Sequence, residues 1–82
     1  MNDVQRDIYD ALTSGDYSAV EFDLSNGKTI TGTRDGKSGK WAVTRGGDLI
    51  AEDLSDEEAR SKLVALAGGA VRLPRLIRRI NS

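Results

Sequence analysis

Residues 17–52 read YSAVEFDLSNGKTITGTRDGKSGKWAVTRGGDLIAE, and this stretch decides the fold. Within it, Val20-Glu21-Phe22-Asp23-Leu24 is apolar at even positions and acidic at odd ones. A period of two marks a strand with one face on a core and the other in water. Ile30, Trp41, Val43 and Ile50 supply the inward residues of three further strands.

The turns can be read by register. Ser25-Asn26-Gly27-Lys28 contains Asn-Gly, a signal for a two-residue hairpin loop. Such a loop would set Ile30 opposite Asp23, on the wet face. A three-residue loop with Gly27 in a left-handed bulge pairs Phe22 with Ile30 instead. A one-residue slip inverts every side chain, so the apolar pattern selects the bulged loop. Gly32 then lies inward beside Val20 and leaves room for a large neighbour, for which Trp41 is the candidate. Thr29, Thr31 and Thr33 share the outer face, which suits threonine. Arg34-Asp35-Gly36-Lys37-Ser38-Gly39 reads as a flexible, basic hairpin loop. Gly46-Gly47 is a tight turn that sets Arg45 beside Asp48 and aligns Val43 with Ile50.

Helical periodicity flanks the strands. Val4, Ile8, Ala11 and Leu12 form one apolar face over residues 3–14, with Asn2 or Asp3 as cap and Ser14-Gly15 as the stop. Ser55-Asp56-Glu57-Glu58 is a capping box, followed by an apolar face of Ala59, Leu63, Leu66 and Ala67 and a stop at Gly68-Gly69. Pro74 fits the first turn of a last, short helix. In it Leu73, Leu76, Ile77 and Ile80 share one side, and Arg72, Arg75, Arg78 and Arg79 the other.

The expected class is α+β. A four-stranded antiparallel β-meander is covered by an N-terminal and a C-terminal helix, in the order α-β-β-β-β-α, with a short basic C-terminal helix after it. Residues 1–70 form a single domain, and residues 71–82 a basic amphipathic segment packed on it or extending from it. With 82 residues, the chain buries only about 60–65% of its unfolded surface, so its core is thin. The absence of cysteine fits a reducing compartment. No apolar run approaches the roughly 18 residues of a membrane span, and no signal peptide precedes the first helix, so a soluble, cytoplasmic protein is expected.

Charge falls in blocks. Residues 1–23 hold six acids and one base, residues 24–47 one acid and five bases, residues 48–58 six acids and no base, and residues 59–82 six bases and no acid. Neighbouring elements of opposite sign attract one another in a fold, and any excess is offered to partners.

The residue inventory narrows the chemistry. There is no histidine and no cysteine. The commonest general base, the commonest zinc ligands and both Ser-His and Cys-His nucleophile systems are therefore missing. The acids of residues 52–58 sit where a helix N-terminus stabilises carboxylates, and their order does not match an EF-hand loop. Gly36-Lys37-Ser38 lacks the preceding glycine and following helix of a phosphate-binding loop. No catalysis, no cofactor and no metal site are expected.

Three functions remain. The first is a small protein–protein interaction module, a regulator or inhibitor of a larger macromolecular target. Inhibitors encoded by phages and mobile elements, anti-CRISPR proteins among them, share this size and this lack of catalytic groups, an analogy of class and not of sequence. In that case Asp3, Asp7 and Asp10, with Glu21 and Asp23, present an acidic stripe to a nucleic-acid-binding groove. The second is a nucleic-acid binder using Arg34, Lys37, Lys40 and Arg45 with the terminal arginines. The sequence pI near 5.3 and only four aromatic residues count against it. The third is an assembly protein that self-associates through its C-terminal helix.

Overall fold

The computed structural model describes residues 3–78. Two helices cover one face of a five-stranded antiparallel sheet. The elements are α1 (Asp3–Ser14), β1 (Tyr17–Asp23), β2 (Thr29–Arg34), β3 (Trp41–Arg45), β4 (Asp48–Leu54), α2 (Asp56–Leu66), a 3-10 turn (Ala67–Gly69) and β5 (Arg75–Arg78). The strand order is β4-β3-β2-β1-β5.

Alternation along β1 builds the core. Val20 and Phe22 are fully buried, as are Ile30 of β2 and Val43 of β3, and Trp41 is 2% exposed. Val4, Ile8, Ala11 and Leu12 of α1 and Ala59 and Leu63 of α2 close over them. The other face of the sheet stays open, as antiparallel sheets allow. It carries Thr29, Thr31 and Thr33, with Thr44 beside Thr31.

The first hairpin has the bulged turn. Phe22 pairs with Ile30, and Gly27 takes φ 86°. Gly27 N–H donates to Leu24 O at 3.0 Å, and Leu24 N–H to Lys28 O at 2.7 Å. The Ser55 capping box is present in full at the start of α2.

Four expectations are corrected. The space over Gly32 belongs to Leu63 of α2, not to Trp41: a Cβ on Gly32 would lie 2.8 Å from Leu63 Cδ1. Arg45 does pair with Asp48, but Val43 lies opposite Ala51 and not Ile50, and Trp41 lies opposite Leu54. The register shifts twice along β4. Strict alternation from the Gly46-Gly47 turn would have set Glu52 against Trp41, inside the core. The irregularities turn Glu52 out to solvent and bring Leu54 in, and Asp53 absorbs part of the change at φ 56°. The loop after β2 is organised by Asp35, whose carboxylate accepts from Lys37 N–H at 3.0 Å and Ser38 Oγ at 3.1 Å.

The fourth correction is the largest. Residues 75–78 are not helix but a fifth strand, antiparallel to β1, with Leu76 opposite Val20 and Arg75 opposite Glu21. Two turns of helix gain little alone, whereas a strand here pairs an otherwise bare edge of β1. Alternation also serves the strand, because Leu76 turns toward the core while Arg75 turns to the open face. Pro74 therefore precedes a strand and does not open a helix. Of residues 71–82, the strand Arg75–Arg78 belongs to the same sheet as β1–β4.

Candidate interaction surface

The chain reaches β5 from α2 through the 3-10 turn, and Asp23 fastens it there. Ser25 N–H donates to Gly69 O at 2.8 Å, and Val71 N–H donates to Asp23 O at 2.9 Å. The Asp23 carboxylate accepts from Thr29 Oγ1 at 3.0 Å and pairs with Arg72 Nε at 2.8 Å. Arg75 Nη2 lies 3.3 Å from Glu21 Oε1. The Arg78 guanidinium stands 5.9 Å from the Tyr17 ring centroid, close enough for a cation–π attraction. Ser18, at the bulge in β1, donates to Ile77 O at 3.3 Å. The fourth basic residue of this segment, Arg79, lies outside the described residues, as does Ile80.

Arg72 and Arg75 therefore face the acids of β1. This explains part of the charge alternation within the fold. It also uses Glu21 and Asp23, which sit on the open face of the sheet, while α1 lies on the opposite face with the core. Asp3, Asp7 and Asp10 of α1 consequently do not share a surface with Glu21 and Asp23. Asp3 is paired with Arg6 at 2.6 Å.

The basic residues of the β2–β3 loop are a separate group. The Arg34 guanidinium lies over Gly39, where an added Cβ would be 3.4 Å from Nη2. Lys37 and Lys40 are exposed. Lys40 shares a hollow of about 250 Å3 with Asp35, Glu52 and Asp53, so the loop's positive charge is locally opposed. The hydrogen bonds from Lys37 N–H and Ser38 Oγ hold the Asp35 carboxyl below its ordinary pKa.

Two apolar features stand out on this polar exterior. The first is the approach to β5 and the strand itself. Among the described residues the large hydrophobic side chains left exposed are Tyr9, Leu49, Val71, Leu73 and Ile77, so three of the five fall within residues 71–77. The sequence pattern had assigned Leu73 and Ile77 to an apolar helix face; the strand instead places Ile77 on the open side, opposite Ala19. The second is a groove of about 510 Å3 between β4 and α2. Ala51, Leu54 and Ala65 contribute apolar surface to it, and Glu57, Glu58 and Lys62 contribute charge. No sequence signal marks the groove, because it depends on how α2 crosses the irregular β4.

Among the described residues no cluster of three or more acids, histidines or cysteines is placed to hold a metal ion, and no helix is long and apolar enough to cross a membrane. No protein-family model matches the chain, and neither the curated proteins nor the solved structures contain a match.

Proposed function

We propose that this chain is a small non-catalytic interaction module that regulates or inhibits a larger macromolecular target, docking a protein surface along β5. One observation carries the reading: Val71, Leu73 and Ile77 are exposed in a run that also holds Arg72, Arg75 and Arg78. Exposed apolar side chains gathered in one patch mark an interaction site, and arginine is among the residues enriched at protein interfaces. The nucleic-acid reading has less support, since the chain is acidic on balance, with a sequence pI near 5.3, and acids share the hollow around Lys40.

The test is purification of the tagged protein from its native host, wild type beside Leu73→Asp and Ile77→Asp. The expected result is a protein retained by the wild type, lost by both variants, and rebound when the purified components are mixed. Retention of nuclease-sensitive material in its place would favour the nucleic-acid reading. Equal retention by all three proteins would remove β5 as the docking element.

A further inference from the structure

The groove between β4 and α2 and the exposed face of β5 are complementary, and they lie at opposite edges of one sheet. The groove has an apolar floor of Ala51, Leu54 and Ala65 beside Glu57, Glu58 and Lys62, two acids against one base. Residues 48–58 hold six acids, Glu57 and Glu58 among them, and no base, so four further acids lie on the same stretch of chain. The β5 edge offers Ile77 with Arg75 and Arg78, and the approach to it offers Leu73. Apolar surface would meet apolar surface, and guanidinium would meet carboxylate.

One copy cannot satisfy both surfaces by itself. With the order β4-β3-β2-β1-β5, four strand spacings separate the edges, about 19 Å at ~4.8 Å each. We infer that the chain associates head to tail with further copies of itself, β5 of one copy lying in the α2–β4 groove of the next. This goes beyond the docking reading above, and it uses the same strand.

The edge geometry favours this arrangement over a twofold pairing of β5 with β5. Such a pairing would bring Arg75 and Arg78 of both copies together, next to a proline that lacks an N–H to donate. The groove presents carboxylates instead. The existing pairs of Arg72 and Arg75 are about half exposed on the arginine side, and exposed ion pairs of this kind rearrange at little cost. A heterologous contact between two different patches does not close on itself, so it adds copies until a ring closes or the chain stays open.

Two variants with changes confined to exposed positions test this. One spoils the groove, Glu57→Arg with Ala65→Arg. The other spoils the strand, Ile77→Glu with Arg78→Glu. Circular dichroism first confirms that both are folded, and sedimentation equilibrium then reads mass. The expected wild type gains mass with concentration and loses it with added salt. Each variant alone is expected to stay monomeric. Their equimolar mixture is expected to stop at dimers, because it retains one sound groove and one sound strand per pair. A wild type that is monomeric at every soluble concentration overturns the inference, and it does so without any variant. Persistent association of the groove variant alone would overturn it in favour of β5–β5 pairing. A monomeric wild type that loses a foreign protein on Ile77→Asp would overturn self-association and leave the docking reading standing.

Discussion

The indole Nε1–H of Trp41 donates to Asp56 Oδ1 at 2.8 Å, tying the first residue of β3 to the first residue of α2. Trp41 is 2% exposed and Asp56 is exposed, so removing the carboxylate exchanges a charge-assisted bond for, at best, a contact with water at the edge of the core. Asp56→Ala is expected to cost about 1–3 kcal/mol. Trp41→Ala, which also empties the centre of the core, is expected to cost about 3–5 kcal/mol. Chemical denaturation measures both. Equal stability of Asp56→Ala and the wild type would mean that the indole bond contributes nothing.

Leu63 packs over the bare Cα of Gly32, between Val20 and Val43 on the neighbouring strands. The Leu63 side chain is fully buried, so moving its Cδ1 aside disturbs the packing around it. Gly32→Ala is therefore expected to overpack the site and cost about 1–3 kcal/mol. Leu63→Val should recover part of that loss in the double variant, although it is destabilising alone. A strictly additive pair would show that the two residues do not compete for space.

Glu58 gives the fold a pH dependence of defined sign. Its pKa is held below the ordinary 4.5 by the Ser55 N–H and the Ser55 hydroxyl, with Lys40 adding attraction. The folded state thus prefers the carboxylate. The stability this supplies is complete above about pH 4.5 and drains away as pH falls through the lower folded value. Glu58→Gln should be less stable than wild type near neutral pH, and the gap should narrow in acid. Urea denaturation across the acid range reads the gap, and a gap independent of pH would contradict the assignment.

Asp23 is the fastening of the last strand, through its carbonyl to Val71 and its carboxylate to Thr29 and Arg72. Asp23→Ala should leave the core packed while loosening β5. Hydrogen exchange should quicken at amides shared by β1 and β5 more than at those shared by β2 and β3. A uniform change across the sheet would instead indicate a global loss of stability.

The first four strands and both helices were legible because their apolar periods mark where each element lies. Phe22 opposite Ile30 follows from parity alone, and Ser55 with Glu58 marks a helix start by chemistry alone. Where the reading failed, local pattern was ambiguous or tertiary packing decided. Residues 73–80 fit a helical stripe and break strict alternation at Leu76-Ile77, so the bare edge of β1, not the local pattern, selects the strand at Arg75–Arg78. The irregularities of β4 were hidden because a two-residue turn implies continuous pairing, and the penalty for Glu52 beside Trp41 appears only once the register is followed inward. The pairing of Arg72 and Arg75 with acids of β1 depended on that same strand. The groove was invisible for a related reason: Ala51 and Ala65 carry no periodic signal of a binding surface.

The sheet order also sets a timetable. β1 ends at residue 23, yet its partner on the outer side begins at residue 75. At ordinary synthesis rates of about 5–20 residues per second, that interval lasts roughly 3–10 seconds. Through it, β1 can pair with β2 while its other edge stays open to any extended chain nearby. The Tyr17–Arg78 end of that ladder joins residues far apart in sequence, the kind of contact that closes slowly. A nascent chain halted before Arg75 would hence hold four of its five strands with one edge of β1 unpaired, a template on which another extended chain can add.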